Sequence, residues 1–322
     1  MKRVLKIIGI ILGVVIIAIA GFVIYINASG IPSYEVDPPE EYIIYTDSAS
    51  VAEGARMASM MCINCHGSGD RKMGGAYMAD AKDFGEIYPP NISSHPDSRL
   101  SAYSDEELVY LLRTGIKRDG QFAPPYMPKF PNLSDKDMKS LIGFLRSDHP
   151  LMAPTDKEPP MSQPNFLTKF LCNMVIEPLP YPKEEIPHVD TTDVVAWGKY
   201  ISTAKFDCYQ CHSADFKTNN IMYPEKSPGY FAGGNQCYTK DGDLVLSPNL
   251  TMDEETGIGN YTEEEFVRVV LSGIRPDGKE AVQYPMIPFT QMTEKEAKAI
   301  WAYLQTLEPV KNEKLAQANM VE

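Results

Sequence analysis

Cysteine is scarce in this chain: six in 322 residues. That is too few for a disulfide-built scaffold at this length. Positive charge is in deficit too. Lysine and arginine total 30 against 43 aspartates and glutamates, a net charge of −13. Such a chain repels phosphate rather than displacing its counterions, which argues against nucleic acid as a partner. What is present suits a folded protein. With 43% hydrophobic and 23% charged residues, the chain is neither wholly disordered nor fibrous. At about 150 residues per domain, the length predicts two domains.

Residues 7–26 carry no charge and are nearly all Ile, Val, Leu, Ala, Phe and Gly. As a helix they would rise about 30 Å, one bilayer core. Lys2, Arg3 and Lys6 precede them. The positive-inside rule therefore keeps the N-terminus in the cytoplasm and sends the rest outside. A cleaved signal peptide competes with this reading, with Ala18-Ile19-Ala20 as its small-x-small site. The apolar run continues past that site to Ile26, longer than an ordinary signal core, which favours an uncleaved anchor over residues 1–30. Gly9 and Gly13 form a GxxxG step that would suit a second membrane helix. Residues 1–28 hold three basic and no acidic residues. The remainder carries 27 basic against 43 acidic residues, a net charge of −16.

Four of the six cysteines fall into two copies of one pattern. Cys62-Ile63-Asn64-Cys65-His66 and Cys208-Tyr209-Gln210-Cys211-His212 both read CxxCH, the attachment motif of c-type haem. Two thiols two residues apart share a helical turn and can bond the two vinyl groups of a porphyrin. The adjacent histidine then projects onto the iron. A thioredoxin-like pair should follow a strand in a βαβ unit, and zinc needs two further ligands at matching spacing. Neither context accompanies these motifs.

The copies extend well beyond the motif. Cys62 maps to Cys208 at an offset of 146, whereas Asn91–Asn249, Tyr103–Tyr261 and Gly115–Gly273 lie at 158. Met127–Met286 and Leu145–Leu304 lie at 159. The second copy thus holds twelve extra residues between its CxxCH and its Pro-Asn step. Each copy predicts the same helical series. One helix leads into CxxCH, over 51–61 or 194–207. A second starts at a capping box, Ser104 to Glu107 or Thr262 to Glu265, and ends near Gly115 or Gly273. The last starts at Ser134 to Asp137 or Thr293 to Glu296. It buries Met138, Leu141, Ile142 and Leu145, or Ala297, Ile300, Trp301 and Leu304.

A histidine–methionine pair on the iron suits electron transfer at a raised potential. Of sixteen methionines, two repeat in context. Met127 stands in Pro124-Pro125-Tyr126-Met127-Pro128 and Met286 in Tyr284-Pro285-Met286-Ile287-Pro288. Flanking prolines stiffen such a loop and preset its side chain. Met73, Met78, Met222 and Met252 have no repeated partner, nor do His95, His149 and His188. His95 is a remote alternative ligand.

With these elements the chain resembles class I cytochrome c, twice over, across about residues 50–150 and 190–308. The resemblance implies two tandem class I cytochrome c domains at 45–149 and 190–310; with the N-terminal transmembrane helix read from the apolar run, the expected fold is all-α, and the N-terminal place of that anchor departs from the family. It implies two covalently bound haem c groups on Cys62, Cys65, Cys208 and Cys211. The irons would be held by His66 with Met127 and by His212 with Met286. In that family a proline carbonyl before an Asn-Leu pair accepts a hydrogen bond from the histidine, which would assign Pro90 to His66 and Pro248 to His212. The stretch Ser247-Pro248-Asn249-Leu250-Thr251, Thr256-Gly257-Ile258-Gly259 and Gly273-Ile274-Arg275-Pro276-Asp277-Gly278 is more particular. It is similar to the cytochrome subunits of bacterial membrane-bound alcohol and gluconate dehydrogenases. The first copy departs from it, with Ser98-Arg99-Leu100-Ser101 in place of Thr-Gly-Ile-Gly. The better-known subunits also carry three haems, against two motifs here.

Between the copies, 150–189 is rich in proline and predicts a stiff connector. Its apolar stretch 166–176 is expected to dock on the haem domains. Cys172 in this connector and Cys237, read as part of the inserted loop of the second copy, could pair outside the cytoplasm or remain free thiols. The resulting expectation is a single-pass protein of a bacterial inner membrane with its haem domains on the periplasmic side. It would carry electrons between redox partner proteins such as a membrane-bound dehydrogenase or terminal oxidase, without catalysis of its own. Its acidic head would favour a basic docking patch. The runner-up is a di-haem cytochrome c peroxidase. That enzyme needs one haem with an open position, which two matched methionine loops argue against.

Overall fold

The computed structural model describes residues 2–239, 243–276, 278 and 281–319; Asp277 of the glycine-rich stretch lies outside them. The molecule is mostly helical. In chain order the helices are α1 (Lys2–Ser29), α2 (Ser48–Met61), α3 (Ile63–His66), α4 (Asp105–Thr114) and α5 (Asp135–Leu145). Then come α6 (Phe166–Met174), α7 (Val194–Tyr200), α8 (Cys208–Cys211), α9 (Glu263–Ser272), α10 (Glu294–Leu304) and α11 (Glu313–Asn319). Two antiparallel ribbons accompany them, which the all-α expectation did not include. One pairs β1 (Gly85–Glu86) with β2 (Gln163–Pro164); the other pairs β3 (Gln236–Tyr238) with β4 (Leu244–Leu246).

The helix boundaries follow from their caps. Ser104 and Thr262 accept from the amides of Glu107 and Glu265, whose carboxylates bond back to the cap amides. Thr293 and Glu296 do the same for α10. At the other end of α4 and α9, Gly115 and Gly273 take φ of 83° and 76°, the left-handed turn that glycine adopts without penalty.

Each copy is built around one helix crossing. The helix leading into CxxCH crosses the closing helix at a glycine. A Cβ on Gly54 would overlap the carbonyl oxygen of Ser140, and one on Gly198 that of Ala299. The two glycines stand 8 and 10 residues before their cysteines. The two surplus residues explain a departure from expectation. The second lead-in helix is not continuous to 207. It widens into a π-helical turn over Ile201–Lys205 and breaks at Asp207, which is left-handed at φ 50°. An inserted residue within a helix is accommodated by such a turn.

The twelve-residue surplus also has a definite place. Gly75 donates its amide to the His66 carbonyl (2.7 Å), and Gly233 donates to the His212 carbonyl (2.9 Å). Ile92 and Leu250 repeat the next contact, to the carbonyls of Met73 and Phe231. From Gly75 and Gly233 onward the copies are in register, so the insertion lies within 213–232. Cys237 is therefore not in the inserted loop; it sits in β3.

The connector packs along its length. Its Ser162 hydroxyl bonds Tyr88, and the carbonyls of Thr155 and Lys157 take the Asn91 amide group. Asn165 and Thr168 on α6 donate to the carbonyls of Asp83 and Phe84. Cys172, on the inner side of α6, is buried, and both Cys172 and Cys237 are free thiols.

A cluster of buried charges joins the two copies. Arg56 on α2 pairs with Glu53 and with Glu296 on α10, each at 2.7 Å. Lys205, from the π-turn, lies 2.6 Å from Glu53, 3.5 Å from Glu296 and 3.8 Å from Asp137 on α5. The Tyr200 hydroxyl donates to Asp137.

Candidate haem sites

In the first CxxCH, Cys62 joins α2 to α3, and α3 holds Cys65 and His66. The second occupies α8 and His212, which follows it. Helical geometry puts both thiols of each motif on adjacent positions of one turn and leaves the histidine to project from its end. Burial pushes Cys62 and Cys208 up to about 12, so both are protonated at neutral pH. A redox-active CxxC pair works as a thiolate with a lowered pKa, so the environment is wrong for that chemistry. No group of three or more His, Cys, Asp or Glu side chains suited to a metal ion occurs among the described residues.

The histidines are held alike. His66 Nδ1 lies 3.0 Å from the Pro90 carbonyl oxygen, and His212 Nδ1 lies 2.9 Å from that of Pro248. A carbonyl can only accept, so Nδ1 carries the proton and Nε2 keeps its lone pair. Burial lowers the pKa of both rings, despite the opposing proline bond, and keeps them neutral. A neutral imidazole with its distal nitrogen free is the form that binds iron. The donor chemistry therefore fits haem c.

The turn that carries each proline carbonyl packs against a glycine. A Cβ on Gly75 would overlap the carbonyl oxygen of Pro89, and one on Gly233 would press on the Pro248 carbonyl group. Both glycines have positive φ, 75° and 68°. The following asparagine clamps the loop on the other side. Asn91 Oδ1 accepts from the Ser93 amide (2.8 Å), and Asn249 Oδ1 accepts from the Thr251 amide (2.9 Å). Their amide groups hold the chain beyond the closing helix, Asn91 at Thr155 and Asn249 at Val310. Sequence reasoning missed both glycines.

Met127 and Met286 occupy the third position of matching turns, and both are half-buried. In the first copy, buried Lys129 donates to the carbonyls of Ala123 (2.6 Å) and Pro124 (2.9 Å) and so fixes the loop before the methionine. The second copy has Pro288 at the matching position. The other candidates are engaged elsewhere. Met73 is fully buried in the core, at the backbone position that Phe231 fills in the second copy. His95 Nε2 lies 3.1 Å from Asp156. His149 accepts from the Leu151 amide, and His188 lies 3.2 Å from Ser134.

The two sites approach one another. Tyr284, two residues before Met286, hydrogen-bonds Asp80 of the first copy. Burial first, and then Asp80, raise its pKa. Nearby, the Phe84 ring lies 5.8 Å from Tyr126 and 6.2 Å from Phe216, bridging the copies.

The cytochrome c family model matches two stretches of the chain, residues 51–148 and 195–308. The chain belongs to the cytochrome c family. Membership implies covalently bound haem c. The chain is 28% identical over 238 residues to the cytochrome c subunit of a quinone alcohol dehydrogenase from Gluconacetobacter polyoxogenes, covering 70% of this chain and 48% of that protein. It is 27% identical over 232 residues to the cytochrome subunit of fructose dehydrogenase from Gluconobacter japonicus, covering 70% and 45%. It is 32% identical over 113 residues to the cytochrome c subunit of gluconate 2-dehydrogenase from Pantoea cypripedii, covering 34% and 22%. The chain spans about half the length, or less, of these curated relatives.

Proposed function

We propose that this cytochrome is a membrane-anchored di-haem electron carrier, serving a dehydrogenase of the kind its relatives belong to. Residues 45–149 and 190–310 would each form one haem domain, with 150–189 as the connector and 1–30 as the anchor. The observation that carries the reading is the repeated site: CxxCH, a histidine whose Nδ1 faces a proline carbonyl, and a methionine ending a proline-flanked turn. Haem c bound at such a site supplies an iron that alternates between two oxidation states. Cys62 with Cys65, and Cys208 with Cys211, would tether it covalently. Pro90 and Pro248 fix the tautomer of His66 and His212, and Met127 and Met286 complete the ligand pairs. The Asp80–Tyr284 bond ties the methionine loop of the second copy to the first copy. α1 is long and apolar enough to cross a membrane, and its basic N-terminal end favours a periplasmic head. The relatives lend no support to a di-haem peroxidase.

The pyridine haemochrome of the purified protein tests the count. Two haems per chain are expected, falling to one in the Cys208→Ala/Cys211→Ala variant. The oxidised protein should show the weak methionine–iron absorption band, reduced to about half in Met127→Ala and in Met286→Ala. A band unchanged in either variant rejects that ligand. One haem per wild-type chain rejects the di-haem reading.

A further inference from the structure

α6 is amphipathic in an unusual sense. Its inner side is tied to the first copy through Asn165, Thr168 and buried Cys172. Its outer side carries Phe166, Phe170 and Met174 at i, i+4 and i+8, beside Leu167, Leu171 and Val175. Helical geometry spreads the five on α6 over one continuous apolar arc, and Val175 follows at the end of the helix. Four of them stand well out of the fold: Phe166 is 38% exposed, Leu167 50%, Met174 56% and Val175 65%. A contiguous apolar patch of this kind marks an interaction surface.

Its position says what covers it. The Phe170 ring lies 6.1 Å from Phe22 of α1, and Phe166 stacks on Phe170 at 6.2 Å. Phe22 stands four residues inside the end of the apolar run 7–26. At 1.5 Å per residue, that is about 6 Å below its outer limit. A helix touching Phe22 therefore sits at the depth where interfacial helices bury their apolar faces, about 5–10 Å into the headgroup–acyl boundary. The join between α1 and the head holds this arrangement. Asn173 on α6 donates to the Gly30 carbonyl (2.8 Å), and Phe122 and Tyr34 bond backbone to backbone with Pro32 and Gly120 (both 2.9 Å).

We propose that α6 is a second membrane contact, lying in the lipid interface beside α1 and setting the orientation of the haem-bearing head on the bilayer. This rests on reading α1 as a spanning helix. A protein partner could also cover an apolar arc, but it would have to reach below the end of the apolar run to do so. Lipid is already there.

The test uses the full-length protein in phosphatidylcholine vesicles, with brominated or ordinary acyl chains. Single tryptophans are placed at Leu167, Met174, Phe22 and Val310. The ratio of fluorescence in the two vesicle types cancels quenching by haem, once the emission of the wild-type protein, from Trp197 and Trp301, has been subtracted from each. Leu167→Trp and Met174→Trp should lose fluorescence to bromine, as Phe22→Trp should, while Val310→Trp on the far copy should not. Quenching at Phe22→Trp without quenching at Leu167→Trp and Met174→Trp overturns the proposal and leaves the anchor standing. No quenching at Phe22→Trp removes the spanning helix, and the proposal with it.

Discussion

Two glycines carry as much of each site's geometry as the histidine they face. Gly75 and Gly233 leave room for the turn whose carbonyl, on Pro90 or Pro248, receives the histidine proton. An alanine there would meet both a left-handed backbone and a carbonyl group that has nowhere to go. The first costs about 1–2 kcal/mol and the overlap about 1–3 kcal/mol more. Gly75→Ala and Gly233→Ala should therefore lose about 2–5 kcal/mol in denaturant unfolding. Gly69 is the control, because it has φ of 79° but nothing within 4 Å of a Cβ. Gly69→Ala should show the backbone cost alone. Equal losses at Gly69 and Gly75 would mean that the close approach yields freely. Histidine and proline were legible in the sequence because CxxCH and Pro-Asn are motifs. The glycines were not. One copy sets its glycine 9 residues after the histidine and the other 21, so a search by spacing passes over them.

Among the elements, those with local determinants were read correctly. The capping boxes at Ser104, Thr262 and Thr293 and the left-handed stops at Gly115 and Gly273 involve residues within one turn of each other. The crossing of lead-in and closing helices was not read. Its determinant is a helix-interior glycine, Gly54 or Gly198, opposite a backbone about a hundred residues away, and the π-turn shifts the two out of register. Helix propensity favours alanine over glycine by about 1 kcal/mol. At these two positions packing should reverse the sign. Gly54→Ala and Gly198→Ala are expected to lower stability by about 1–3 kcal/mol, the cost of overpacking, as read by urea unfolding. Any gain in stability would show that the helices can separate, and that the crossing does not set the site. The two ribbons also escaped notice, because strands of two or three residues carry too little alternation to register.

At the scale of the molecule, composition gave an acidic head but not where its charges meet. The cluster joining the copies draws Glu53 and Arg56 from α2, Asp137 from α5, Lys205 from the π-turn and Glu296 from α10. No spacing rule links residues so far apart. Burial alone would raise the Glu53 pKa, but bonds from Arg56 and Lys205 overcome it and hold the carboxyl at about 2. A depressed carboxyl stabilises the fold above its unfolded value, about 4.5, and that contribution is lost as pH falls through about 2. With Glu53 about a third exposed, solvent screening reduces the effect to about 2 kcal/mol. Lys205 is the test, because it is buried and faces three carboxylates. Lys205→Met leaves Glu53 and Glu296 with Arg56, and Asp137 with Tyr200 and His188, and should cost about 3–5 kcal/mol. For a chain of this size that lowers the melting midpoint by about 10 °C. It should also move the acid-linked loss to higher pH, because Glu53 then keeps one cation instead of two. Calorimetry of wild type and Lys205→Met between pH 7 and pH 3 reads both effects. A variant with the wild-type midpoint and the wild-type pH profile would show that the two copies dock through their apolar contacts, and that the buried charges only accompany them.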